Sequence, residues 1–298
     1  MTTENKKKFP FKMDRDKRIR TITILPSMIT MINGLCGFAA IGLATQGSNY
    51  FTLAGYMIFF SMIADMLDGR VARLSHTTSS FGGQLDSLCD MISFGTAPAI
   101  LTFRVLMQNF PDLFGPETSF YASFFQRFIW LAPATFLSCT AIRLARFNAE
   151  NDEGEEAHMN FTGLPSPAAA GVIAGLIISI EHIRKDPTIT GPLFTFLFRF
   201  MLYALPFIAI GTAVLMVSRI TYPHLINQYL RGRKPITHLF YIAILAGMIW
   251  QAGLPASLAI TFSGFAVSGF ARWAWLKFHP ALSADSEDDS QTAPVTSN

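Results

Sequence analysis

The sequence predicts an all-α fold, a polytopic transmembrane helix bundle of about eight spans, and three observations indicate it. Of the 298 residues, 51% are hydrophobic and only 14% are charged, and the mean hydropathy is +0.36. This composition is typical of a polytopic membrane protein and not of a soluble globule. Apolar runs of about 20 residues, the length that crosses the hydrocarbon core, recur along the chain. Lys and Arg are concentrated between alternate runs, as in membrane proteins of defined orientation.

The apolar runs set the positions of the predicted spans. Arg199 interrupts the sixth run, which begins near Pro192, so residues 190–198 are expected to lie along the membrane interface. The three cysteines all fall in apolar runs, which indicates buried packing residues and no disulfide framework. The spans are predicted near residues 24–46, 50–70, 84–106, 122–145, 165–182, 198–218, 235–252 and 254–274.

The distribution of basic residues predicts that both termini lie in the cytoplasm. Eighteen of the 23 Lys and Arg residues fall on the side of the N-terminus, and the side rich in Lys and Arg is normally cytoplasmic. We therefore expect an integral protein of a prokaryotic cytoplasmic (inner) membrane, with the bilayer as a partner and no nucleic acid. Residues 1–20 form a basic cytoplasmic arm, residues 21–278 a transmembrane catalytic domain and residues 279–298 an acidic, disordered tail.

Four aspartates lie within stretches that are otherwise apolar enough to cross a bilayer. Asp65 and Asp68 are spaced i, i+3, and Asp86 and Asp90 are spaced i, i+4, so each pair occupies one face of a helix. Ionised carboxylates at membrane depth persist only where they face a protein interior or a wet cavity, and four of them repel one another unless cations are bound. The spacing predicts a helical hairpin that holds one or two hard divalent ions, Mg²⁺ or Mn²⁺.

The residues between these acids fit a phosphate-bearing ligand. From the first to the last aspartate the chain reads DMLDGRVARLSHTTSSFGGQLDSLCD. Gly69, Ala72 and Gly82 leave room for a bulky ligand beside the carboxylates, and Arg73 is placed to bind a phosphate through two hydrogen bonds. In an alternative reading, Arg70 and Arg73 form buried ion pairs with the acids, but two arginines leave four aspartates incompletely neutralised.

The pattern D-x-x-D-G-x-x-A-R, eight residues, G-x-x-x-D-x-x-x-D resembles the defining motif of the CDP-alcohol phosphatidyltransferase family at every fixed position. The resemblance implies a six-helix catalytic core, over about residues 21–218, and a homodimer. It implies that the metal-binding acids are Asp65, Asp68, Asp86 and Asp90, with Asp90 also the general base. It also implies that the nucleotide and phosphate pocket is lined by Gly69, Ala72, Arg73 and Gly82.

A second polar segment, RLARFN followed by FTGLPSPAAAG, begins at Arg143. Arg143 and Arg146 share a helix face, while Gly163 and Pro165 form a rigid bend with Ser166 as a helix cap. An arginine pair beside a fixed loop suits a carboxylate-bearing acceptor or a diphosphate. From spacing alone, the alternative stays open that both arginines only anchor a helix end at the cytoplasmic face.

Over about residues 20–180 the chain resembles the phosphatidylserine synthase branch of the family. This resemblance implies transfer of a phosphatidyl group from CDP-diacylglycerol to the hydroxyl of L-serine, with acceptor or phosphate contacts from Arg143, Arg146, Asn148 and Ser166. Another acceptor, such as glycerol-3-phosphate, inositol phosphate or choline, remains an alternative. A cation transporter that uses the acids as a permeation site is an alternative of a different class. The clustering of the acids on one hairpin and the lack of an inverted repeat disfavour it.

Overall fold

The computed structural model describes residues 15–74, 80–111, 120–152, 163–186, 191–220 and 235–278. These residues are helical apart from short connections and contain no β-strand, which confirms the all-α class. A 3₁₀ turn (Ser48–Tyr50) precedes the second helix, and a π-helical turn (Met91–Thr96) joins the third helix to the fourth without a break. The helices are α1 (Arg15–Gln46), α2 (Phe51–Leu74), α3 (Ser80–Asp90), α4 (Ala97–Asn109), α5 (Phe120–Asp152), α6 (Ser166–Lys185), α7 (Pro192–Val217) and α8 (Pro235–Phe278).

Among the described residues, seven helical stretches are long and apolar enough to cross a membrane. They correspond to predicted spans one to six and eight, so the polytopic bundle is confirmed. The predicted seventh span, residues 235–252, forms the first part of α8, but its side chains lie outside the described residues. Gly253, with φ 76°, kinks α8 and separates this part from the eighth span. The residues before 15 and after 278, which include most of the predicted arm and the predicted tail, also lie outside the description.

The structure differs from the prediction of an interfacial segment over residues 190–198. Pro192 begins α7, and the helix continues without interruption to Val217. Proline is favoured in the first turn of a helix, where its missing N–H has no partner to lose. Arg199 lies exposed on the helix surface, where its long aliphatic stem can carry the charge outward. A charged residue interrupts the hydropathy of the run but not its backbone hydrogen bonds, so the break that the sequence suggested at Arg199 does not occur in the helix.

Helix α6 lies at the centre of the bundle, and nearly every residue from Ser166 to Glu181 is buried. It packs against α2, α7 and α8. Small residues make this possible, because a Cβ on Gly175 would lie 2.9 Å from the Ala259 backbone. Close helix approach through small residues is a common way to pack membrane helices. The central position of α6 places its N-terminus next to the ends of α5 and α7.

The predicted bend before α6 is held against the end of α7 by two backbone hydrogen bonds. The Gly163 N–H donates to the Ile220 carbonyl (2.8 Å), and the Leu164 N–H donates to the Leu215 carbonyl (2.9 Å). Gly163 has a φ of 91°, and a Cβ there would overlap the Met216 carbonyl oxygen. The bend therefore requires glycine at this position.

Gly163→Ala is expected to destabilise the protein. The left-handed conformation alone costs a non-glycine residue about 1–2 kcal/mol, and the overlap with the α7 backbone adds to this. The midpoint of thermal unfolding in detergent should therefore fall. Gly211→Ala is the matched control, because a Cβ at Gly211 meets no atom within 4 Å. Equal unfolding midpoints for the two variants would contradict the role of the bend.

Candidate active site

Three of the four predicted acids form a compact cluster. Asp65 and Asp68 lie one turn apart on α2, and Asp86 lies on α3; one carboxylate oxygen from each lies within 4.8 Å of the others. Asp68 is only 5% exposed, and the other two are half-buried. Asp68 Oδ2 and Asp86 Oδ1 are buried with no hydrogen-bond partner among the described residues. Buried polar atoms normally have a partner, and a hard cation prefers several carboxylate oxygens, so this donor set fits a divalent ion.

Helix α1 supports the cluster from one side, since it packs against both α2 and α3. Thr30 on α1 hydrogen-bonds to the Asp68 carboxylate. Glycines on α1 allow the close approach of the second acidic helix: a Cβ on Gly34 would lie 2.9 Å from Cys89 Sγ, and a Cβ on Gly37 would overlap Ser93. The first helix thus takes part in the site even though the sequence motif begins after it.

Asp90 lies beside the cluster and is held by α1. It lies one turn beyond Asp86 at the end of α3 and is 9% exposed. The Asn33 side chain on α1 donates from Nδ2 to Asp90 Oδ1 at 2.9 Å. The compact group of three carboxylates does not include Asp90. Its predicted roles as a fourth metal ligand and as a general base remain predictions, and its separate position is compatible with the second.

The small residues of the motif leave space beside the acids. Gly69 on α2 and Gly82 on α3 are both half-buried, and a Cβ on Gly69 would meet no atom within 4 Å. Ala72 and Arg73 lie in the last turn of α2, but their side chains are outside the described residues. The predicted nucleotide and phosphate contacts of these four residues therefore remain predictions.

Arg143 on α5 joins the acidic cluster to the start of α6. Its Nη1 donates to Ser166 Oγ at 2.8 Å, and it interacts electrostatically with Asp90 and Asp65. Its Nε is buried with no partner among the described residues. The prediction that Ser166 caps α6 is wrong, because Pro165 occupies the N-cap position and Ser166 is the first helical residue. The fully buried Ser166 hydroxyl instead accepts the arginine hydrogen bond.

Arg146 and Asn148 have different surroundings from Arg143. Arg146 Nη1 donates to the Val217 carbonyl at the end of α7 (3.4 Å). Asn148 Oδ1 accepts a hydrogen bond from Ser87 Oγ (2.9 Å), and Ser87 lies on α3 directly after Asp86. Of the four predicted acceptor residues, Arg143 interacts electrostatically with two of the acids and hydrogen-bonds to Ser166, while the hydrogen bonds of Arg146 and Asn148 connect α5 to α7 and α3.

Sequence reasoning missed Thr30, Asn33 and Ser87. Thr30 and Asn33 are spaced i, i+3 on α1, so they occupy one face of an otherwise apolar span. Polar side chains that share a face at membrane depth are a signal for a functional interior. That spacing could have indicated that α1 contributes to the site, although the sequence does not show which acid each residue contacts.

A membrane-spanning helix bundle with clustered, largely buried carboxylates and a half-buried arginine nearby defines a membrane enzyme whose site suits a cation and an anionic substrate. Residues 23–271 match the sequence model of the CDP-alcohol phosphatidyltransferase family. The match covers most of the chain, so the protein belongs to this family of transferases and is an integral membrane enzyme.

Three relatives illustrate the similarity. The chain is 30% identical over 258 residues to a CDP-diacylglycerol–serine O-phosphatidyltransferase of Helicobacter pylori, covering 87% of this chain and 94% of the relative. It is 33% identical over 231 residues to an enzyme of the same name from Methanocaldococcus jannaschii, covering 72% of this chain and 98% of the relative. It is 33% identical over 213 residues to an archaetidylserine synthase of Methanothermobacter thermautotrophicus, covering 71% of this chain and 74% of the relative.

Proposed function

We propose that the protein transfers the phosphatidyl group of CDP-diacylglycerol to the hydroxyl of L-serine and releases phosphatidylserine and CMP. The observation that carries the choice of serine is the half-buried Arg143, which donates a hydrogen bond to Ser166 and interacts electrostatically with Asp90 and Asp65. A fixed guanidinium at this position suits an acceptor that carries a carboxylate. The serine-specific names of the relatives support the same acceptor.

The four aspartates have two different roles in this proposal. Asp65, Asp68 and Asp86 would hold Mg²⁺ or Mn²⁺, as one or two ions. When bound, the cation supplies positive charge that offsets the diphosphate and the departing nucleotide. Asp90 accepts the proton of the serine hydroxyl as general base. The serine oxygen forms a bond to the phosphorus that carries the lipid, and the bond from that phosphorus to the bridging oxygen breaks, so CMP leaves with the electron pair.

The space around Gly69 and Gly82 would receive the nucleotide end of the donor, with Ala72 and Arg73 completing the pocket.

The described polar contacts of the site lie at one end of the bundle. At the opposite end, Glu181 is paired with Arg184 and Lys185. We propose that the end with the aspartates faces the cytoplasm, with both termini there, in a prokaryotic cytoplasmic membrane. A water-soluble nucleotide head and a lipid tail can then reach the site together. A homodimer is part of the same proposal.

Arg143→Ala is expected to raise the KM for serine by about 10- to 100-fold. A hydrogen bond to a charged group contributes about 1.5–3 kcal/mol, and each 1.4 kcal/mol corresponds to about tenfold in affinity. The measurement is the initial rate against serine concentration at saturating CDP-diacylglycerol. Arg127→Ala, an exposed arginine on the same helix, is the control and should leave the KM unchanged. An unchanged serine KM in Arg143→Ala would contradict the proposed contact between Arg143 and the acceptor.

The proposed activity is tested by incorporation of radiolabelled L-serine into lipid by the purified protein in detergent. Labelled lipid should appear only when both CDP-diacylglycerol and Mg²⁺ or Mn²⁺ are present. Glycerol-3-phosphate, inositol phosphate and choline are assayed in parallel. Incorporation of one of these and not of serine would contradict the acceptor. If no acceptor is incorporated into lipid and vesicles that contain the protein show cation flux, the results would instead favour the cation transporter.

A further inference from the structure

Asn33 is a fully buried residue on α1 that forms one hydrogen bond to the last residue of α3 and one to the π-helical turn that follows it. Its side-chain Nδ2 donates to Asp90 Oδ1 at 2.9 Å, and its backbone carbonyl accepts a hydrogen bond from Ser93 Oγ at 2.8 Å. Neither Asn33 nor Ser93 belongs to the aspartate motif. Both are completely excluded from solvent, and together their hydrogen bonds link α1 to residues on either side of the point where α3 ends.

The backbone at this point is irregular. The π-helical turn Met91–Thr96 follows Asp90 directly, and the Thr96 hydroxyl donates to the Met91 carbonyl at 3.0 Å. π-helical turns are rare and occur frequently at functional sites. Gly37 lets α1 approach this turn, since any Cβ there would overlap Ser93. The π-helical turn and the glycine contact therefore place Asp90 opposite the Asn33 amide and Ser93 opposite the Asn33 carbonyl.

We infer that Asn33 is a positioning residue for Asp90. Its amide fixes one carboxylate oxygen and leaves the other to take the proton of the acceptor hydroxyl. A neutral donor suits this task, because it orients the carboxylate without adding a positive charge to that of Arg143, which already interacts with Asp90. A lysine or arginine at this position would pair with the carboxylate and oppose its use as a base. The inference rests on the proposed function, in which Asp90 is the general base.

The test is the kinetics of Asn33→Ala and Asn33→Leu measured beside the wild-type enzyme. Loss of a hydrogen-bonded partner behind a functional ligand typically lowers activity by about 10- to 100-fold. We expect kcat to fall by this factor in both variants, while the serine KM and the affinity for CDP with Mn²⁺ stay unchanged. Asn109→Ala is the matched control, because among the described residues the Asn109 amide donates to the Val105 carbonyl of its own helix.

The second variant separates a hydrogen-bonding role from packing. Leucine restores the volume of the asparagine but cannot donate, so recovery of kcat in Asn33→Leu would show that Asn33 only fills space and would overturn the inference. A parallel loss of CDP affinity would also overturn it. If the Asn33 variants do not fold, Ser93→Ala decides: a lowered kcat with unchanged KM supports the inference, and an unchanged kcat contradicts it.

Asp90→Asn, assayed in the same series, keeps this inference distinct from the proposed function. If Asp90→Asn retains activity, Asp90 is not the general base, and the positioning role of Asn33 is contradicted as well. If Asp90→Asn loses activity while both Asn33 variants keep a normal kcat, the base remains supported and only the positioning role is contradicted.

Discussion

Asp86→Asn is expected to abolish the metal-dependent transfer reaction. Asp86 provides a buried carboxylate oxygen without a partner among the described residues, and it is the only member of the three-carboxylate cluster on α3. The amide keeps the shape of the side chain but removes the charge and one oxygen ligand. Loss of about 4 kcal/mol of charge stabilisation corresponds to a rate reduction of about a thousandfold. The measurement is the initial rate of serine incorporation as a function of Mn²⁺ concentration.

The control for this prediction is Asp186→Asn, which makes the same chemical change at the end of α6. That position is outside the acidic cluster, and the variant should retain both its rate and its Mn²⁺ dependence. If Asp86→Asn shows the Mn²⁺ dependence of the wild-type enzyme, the carboxylates do not form the metal site.

Asp90→Asn is expected to stop turnover while leaving nucleotide binding intact. Asp90 is buried beside the cluster and is held by Asn33, but it is not one of the three carboxylates that lie within 4.8 Å of one another. General base catalysis contributes about 10²- to 10⁴-fold to a rate, and asparagine cannot accept the proton. The two measurements are kcat for serine incorporation and the affinity for CDP in the presence of Mn²⁺.

The two aspartate variants differ in what they retain. Asp86→Asn should lose both the rate and the Mn²⁺-dependent binding of CDP, whereas Asp90→Asn should lose only the rate. A near-normal rate in Asp90→Asn would refute its role as the base. Loss of CDP binding in Asp90→Asn would instead assign this residue to the metal, as a fourth ligand.

The features that the sequence predicted well depend on local patterns. Hydropathy over about 20 residues locates membrane helices because each helix satisfies its own backbone hydrogen bonds. The spacing of Asp65 and Asp68 places both on one face of α2 whatever the surrounding fold. For the same reason the bend at Gly163 was predicted, since its glycine and prolines restrict the backbone directly.

The features that the sequence did not predict depend on contacts between distant parts of the chain. Asn33 and Asp90 are 57 positions apart, and Ser87 and Asn148 are 61 apart, so no local spacing relates them. The role of Ser166 was mistaken because a serine after a proline fits a helix cap by local rules. The guanidinium of Arg143 on α5 donates a hydrogen bond to the Ser166 hydroxyl instead.

The resemblance to the phosphatidyltransferase family rests on the residues between Asp65 and Asp90, and the family match over residues 23–271 confirms it. The residues that we propose to contact the acceptor alcohol lie elsewhere, at the end of α5 and the start of α6. There Arg143 donates a hydrogen bond to Ser166 and interacts electrostatically with Asp90 and Asp65, and Arg146 donates to the Val217 carbonyl at the end of α7. The interaction of Arg143 with two of the acids is the reason that we propose this arginine for the serine carboxylate.

Electron paramagnetic resonance of Mn²⁺ bound to the protein in the presence of CDP tests the metal site most directly. If Asp65, Asp68 and Asp86 hold the ion against the diphosphate, the bound Mn²⁺ should show hyperfine coupling to phosphorus. That coupling should disappear in Asp86→Asn and persist in Asp186→Asn. A wild-type protein that binds CDP without any manganese–phosphorus coupling, or an Asp86→Asn variant that retains it, would contradict the proposal that these carboxylates bring a divalent cation to the nucleotide.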